Sequence, residues 1–163
     1  MNPTDVLKYG HSFVTRTIDG LPLDKWEIDS VCGVWSVKDI IGHLAAYELL
    51  LTEVLAPFSG LQIESKILPQ IGQIGIAAFN DAQAASRQNL TPQQALTEYI
   101  TNFTYNQETV VPKVPVATWS QVGTLLWYGE EYSLDDYIVY SFYGHKREHS
   151  AEINVFKDRL KSR

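Results

Sequence analysis

The stretch Ser133–Leu160, SLDDYIVYSFYGHKREHSAEINVFKDRL, decides how this chain folds. At about 100° per residue, Ile138, Phe142, His145, His149, Ile153, Phe156 and Leu160 fall within an arc of roughly 80°. The pattern predicts one long helix whose core-facing stripe is interrupted by two of the chain's four histidines. Ser133 caps it, and Asp135 and Asp136 sit near its positive end. Buried polar groups without partners are costly, so two imidazoles one turn apart on an apolar stripe imply something that satisfies their nitrogens. A metal ion is the simplest such partner.

Working outward, three further helical regions appear. Asn2 and Pro3 make a cap and first position for a helix through Val6, Tyr9, Phe13 and Ile18, stopping near Gly20 and Pro22. Ser36 and Asp39 resemble a capping box for a second helix, expected to end before Pro57. Its apolar face carries Ile40, Leu44, Tyr47, Leu51 and Leu55, and His43 lies at the edge of that face, so a third histidine can point inward. From Gly60 to Gly75 the composition suggests a long crossover with room for a short helix. A third helical region follows in two parts. One spans Ile76 to about Gln88; the other starts at Thr91, Pro92 and Gln94 and ends near Val111, before Pro112 and Pro115. The pattern allows either a kink or a break between them. Val114 to Tyr132, with Trp119 and Trp127, reads as a connection packed by aromatics. No strand alternation competes, and VPKVPVATW is too rich in proline for a central strand. The expected fold is all-α, a four-helix bundle in one domain, residues 1–163.

Composition narrows the function classes. A chain of 163 residues that is 45% hydrophobic and 20% charged can bury one sizeable core. A net charge of −6 argues against nucleic acid, whose phosphates attract clustered Lys and Arg. The stretches LLLTEVLAPF and IGQIGIAAF fall short of the roughly 18 apolar residues a membrane span needs. Cys32 is the single cysteine and the opening residues lack a leader pattern, so a reducing cytoplasm is expected.

The chemistry rests on His43, His145 and His149. Two imidazoles at i and i+4 stand about 6 Å apart along a helix and can converge on one ion, with His43 as third ligand from a neighbouring helix. Three neutral nitrogens suit Zn²⁺, Ni²⁺ or Fe²⁺ and leave coordination positions open. The competing reading is that exposed or hydrogen-bonded histidine pairs are common without metal. Glu48 and Glu152, near the histidines in sequence, are candidates to orient an imidazole or act as a base, against a reading as surface carboxylates. Tyr47 and Tyr143 are candidates to line the pocket, and Asn80 to supply an amide. His11 reads as a non-ligand, and the tryptophans as closing the ends of the core. Nothing in the sequence around Cys32 marks it as a nucleophile.

The pair of segments WSVKDIIGHLAAYE and YGHKREHSAEI, taken together, resembles the DinB-like superfamily of four-helix bundles, which includes YfiT-like metal-dependent hydrolases and thiol-dependent transferases. The resemblance spans almost the whole chain. In that superfamily a histidine from the second helix and a His-x-x-x-His pair from the last form a metal triad, here His43, His145 and His149. The resemblance implies an up-down-down-up course with a long crossover between helices two and three, and a homodimer. It also implies a divalent-metal enzyme, with Zn or Ni as the ion. That enzyme is a hydrolase or a transferase using a low-molecular-weight thiol, acting on a small-molecule substrate. The alternative is a small-molecule-binding or stress-response bundle in which the metal is structural or absent.

Overall fold

The structure, a computed structural model, describes residues 2–162. They are all-α, with no strand among them beyond an isolated bridge between Cys32 and Trp35. Helix α1, Pro3–Ile18, starts where Asn2 Oδ1 accepts from the Thr4 and Asp5 amides. Helix α2, Val37–Ser59, begins with the Ser36–Asp39 capping box. It runs past Pro57, where a stop was expected, to a left-handed cap at Gly60 (φ 68°). Pro57 falls in the last turn with its ring exposed, so only one backbone bond is lost there.

The crossover is mostly helical. Helix α3, Ile67–Ser86, starts inside the region read as a crossover with room for a short helix, and is broken at Gly75 (φ 77°, ψ 162°), a conformation that favours glycine. Its N-terminus is held by a distant residue. The Glu53 carboxylate accepts from the Lys66, Ile67 and Leu68 amides and from Ser65 Oγ. Burial pushes the Glu53 carboxyl up, but the Ser65 hydroxyl and these amides outweigh it and hold the group below its usual range.

A true break follows, and helix α4, Pro92–Tyr105, opens with a second capping box, Thr91 and Gln94. It continues as a π-helical turn, Asn106–Val110, and ends in a short 3₁₀ turn at Val111–Lys113. The aromatic connection contains one short helix, α5, Val116–Trp119. The last helix is continuous from α6, Leu134–Ile138, through a π-helical stretch at Val139–Gly144, into α7, His145–Lys161. Lys157 Nζ donates to the Thr17 and Asp19 carbonyls, closing the end of α1 with a cation.

Two apolar clusters make the interior. One gathers Leu7, Leu51, Leu55, Val110, Ile138 and Phe142; the other gathers Val14, Ile18, Ile40, Tyr99, Ile153 and Phe156. Helix α1 and the last helix run from the first cluster to the second, whereas α2 and α4 run from the second to the first. Between the clusters lies a layer of polar groups: His11 from α1, His43 and Glu48 from α2, Asn106 after α4, and Lys146 and His149 from α7. Helix α2 is the one helix among the described residues long and apolar enough to cross a bilayer, and 83% of that apolar window is buried in the protein's own interior. The sequence reading missed this because it weighed uninterrupted apolar runs such as LLLTEVLAPF, whereas the helix reaches that length with polar residues such as His43 and Glu48 interspersed.

Candidate metal centre

The polar layer contains the site. His145 and His149 project from successive turns of α7, and His43 meets them from α2. His145 Nε2 lies 2.9 Å from His43 Nε2 and 2.9 Å from His149 Nε2. Three nitrogens bound to one ion at about 2.0–2.1 Å, with mutual angles between 90° and tetrahedral, would stand roughly 2.9–3.4 Å apart, so the observed spacing fits a shared cation. His43 and His149 are buried and His145 is partly so.

Each ring is fixed differently. His149 Nδ1 lies 2.8 Å from Glu152 Oε2, one turn on, so the carboxylate accepts the Nδ1 proton and leaves the Nε2 lone pair facing the other histidines. His43 Nδ1 is buried with no hydrogen-bond partner, and Trp35 lies against the ring at 4.8 Å between centroids. Tyr47 sits 4.6 Å from His43 and 4.3 Å from His145, ring to ring. Burial, then the neighbouring histidines, lowers His43 to about 2. Burial, then His149 and Lys146, lowers His145 to about 3. Both imidazoles are therefore neutral at pH 7, the form in which a histidine is a ligand. The three residues form a group that can hold a metal ion.

Other sequence candidates are placed more variously. Glu152 orients His149. Glu48 is neither at the surface nor against the triad: it is fully buried in an ion pair with Lys146 and accepts from Asn106 Nδ2 at 2.9 Å. Asn80 makes a long contact, 3.5 Å, with the Tyr47 hydroxyl. Tyr143 packs instead on Phe13 and Arg147, away from the triad. His11 stays outside the triad, stacked on Phe103 at 3.9 Å with Nδ1 3.1 Å from the Tyr99 hydroxyl. Trp26 and Trp119 are buried in the two apolar clusters, whereas Trp35 walls the triad and Trp127 lines a cavity. Cys32 has a carboxylate neighbour that the sequence did not reveal. Burial and then Glu152 push its thiol up to about 11, so it remains protonated.

The sequence reading missed Lys146. Its side chain is 2% exposed, and Nζ lies 5.3 Å from the Phe103 ring centroid and 5.8 Å from that of Tyr99. Gly10 makes room for it, since a Cβ there would stand 3.2 Å from Lys146 Cδ. The ion pair ties α2 to α7 next to the triad, so the helices that carry the ligands are joined by charge as well as by packing. No known protein family, curated protein or solved structure matches this chain.

Proposed function

We propose that this chain is a divalent-metal-dependent enzyme of the DinB-like kind, with His43, His145 and His149 as ligands. The observation that carries the reading is the convergence of three imidazole Nε2 atoms from two helices, one of them oriented by Glu152. Three protein ligands leave room in the coordination sphere. A bound Zn²⁺ or Ni²⁺ would supply a Lewis acid able to polarise a small-molecule substrate or to lower the pKa of water or of a low-molecular-weight thiol. Within the chain, Glu152 holds the His149 tautomer, Trp35 and Tyr47 exclude water from the imidazoles, and Glu152 is the candidate to take a proton, whereas burial pushes the Tyr47 hydroxyl up, so it stays protonated and can donate a hydrogen bond. Hydrolysis and thiol transfer both fit this arrangement.

The finer fold belongs to the same proposal: a four-helix bundle with an up-down-down-up course, supported by the directions in which α1, α2, α4 and the last helix cross the two apolar clusters. A cytoplasmic location, a homodimer and a stress-response role accompany the superfamily reading. A second reading, a small-molecule binder without turnover, is favoured by the apolar cavity beside Tyr47.

The test is elemental mass spectrometry on protein purified without a histidine tag, with His43→Ala and His145→Ala alongside. Near-stoichiometric metal in the wild type, lost in both variants, is the expected result. A wild type that stays empty after incubation with Zn²⁺ and Ni²⁺ overturns the enzyme reading.

A further inference from the structure

Beside the triad lies a cavity of about 600 Å³ with no charged residue in its lining. Leu50 of α2, Leu68, Ile71 and Ile76 of α3, and Trp127 form its apolar walls; the other side chains around it are uncharged, Tyr47 and Ser141 among them. That volume suits a small ligand, given the roughly 300–1,000 Å³ typical of such pockets. Tyr47 links it to the histidines, because the ring that lines the cavity also packs against His43 and His145. The space is thus apolar and aromatic, and Tyr47 is the residue it shares with the imidazoles.

We propose that this cavity is the subsite for the apolar, aromatic body of an uncharged substrate, whose polar end reaches past Tyr47 to the triad. The reacting end rests on the metal-centre reading above; binding of the body does not. A charged solute entering these walls would lose its hydration and gain no counter-charge. A thiol cofactor bearing carboxylates therefore does not occupy this space, and the uncharged reaction partner does.

Gly72 provides the test. It lines the cavity within α3, and a Cβ built there meets no atom within 4 Å, so Gly72→Phe introduces no clash at its Cβ, its ring is expected to narrow the space it borders, and helix propensity improves. Neutral N-phenyl-1-naphthylamine should bind metal-free protein at one per chain, at least tenfold tighter than anionic 1-anilinonaphthalene-8-sulfonate. Gly72→Phe should weaken it at least tenfold with unchanged circular dichroism. Equal or tighter binding of the sulfonate, no effect of Gly72→Phe, or naphthylamine affinity that falls as protein concentration rises would overturn the subsite; the last outcome would mean that a second copy covers it. On Co²⁺-loaded protein, benzohydroxamic acid should bind at least tenfold tighter than acetohydroxamic acid, an advantage that Gly72→Phe removes. An advantage that survives the substitution overturns the link between cavity and triad. Failure to bind Co²⁺ at all overturns the metal centre, and with it delivery to an ion, while the naphthylamine measurement still decides the cavity.

Discussion

Lys146 Nζ donates to the Glu48 carboxylate inside the core, where the two side chains are 2% and 0% exposed, and Asn106 Nδ2 donates to the same carboxylate. Thr52 Oγ1 reaches Asn106 Oδ1 at 2.7 Å, so the network is continuous from α7 through α2 to the turn after α4. Removing one partner of such a pair strands a buried charge, which commonly costs about 3–5 kcal/mol, whereas replacing both with apolar groups is often neutral. Lys146→Met should lower the unfolding free energy by that amount, and adding Glu48→Leu should recover most of it. Chemical denaturation of the three proteins checks this; a single variant within about 1 kcal/mol of wild type refutes it.

Acid should destabilise the metal-free protein in a defined window. His11 is lowered to about 4, first by burial and then by Lys146, with Glu48 acting in the opposite sense; His43 and His145 are lowered to about 2 and 3. In the unfolded chain each takes up a proton near pH 6.5. The unfolded state therefore binds more protons between pH 6.5 and these lower values, so stability is full above 6.5 and declines as pH falls through that window. His11→Phe should make the decline shallower. Denaturation midpoints from pH 8 to pH 4 give the result, and identical slopes for the two proteins would count against a neutral His11.

Glu152→Ala should weaken metal binding without unfolding the protein. Loss of a carboxylate that orients a ligating imidazole typically lowers affinity about 10–100-fold. Competition with a chromophoric chelator measures it, and Glu152→Gln, whose amide oxygen can still accept from His149 Nδ1, should fall between wild type and alanine.

Glu53→Ala should release the start of α3 before anything else. Four donors lose their acceptor at once, and hydrogen exchange at the Lys66, Ile67 and Leu68 amides should accelerate while α2 and α4 stay protected. Unchanged exchange there would mean that α3 is held by packing alone.

The triad was legible because it obeys the helical period: His43, His145 and His149 sit on or beside apolar stripes whose spacing survives in the fold. The ion pair was hidden for a related reason. Lys146 lies roughly 20° beyond the edge of the stripe on α7, and Glu48 lies a similar step beyond that of α2, so each reads as the first residue of a solvated face. Opposite charges at matching phases on neighbouring helices were the available signal. The start of α3 could not be read locally, because the group that caps it is Glu53, thirteen residues before Lys66. The π-helical stretches at Asn106–Val110 and Val139–Gly144 likewise have no signature in a count at fixed angle.

Helix α3 contributes only Ile67 and Phe79 to the buried interior, and is fastened at its ends by Glu53 and by the Arg87–Glu98 pair. The face it turns to the cavity is therefore under few packing constraints, unlike α2 and α7, which carry the histidines. Substitutions at the cavity-facing residues Ile71, Gly72 and Ile76 are expected to reshape the cavity at little cost to folding, whereas Gly75 between them is fixed by its positive φ. The molecule thus separates the tightly packed helices that carry the histidines from a lightly packed wall, and a mutational library confined to that segment tests what the cavity admits.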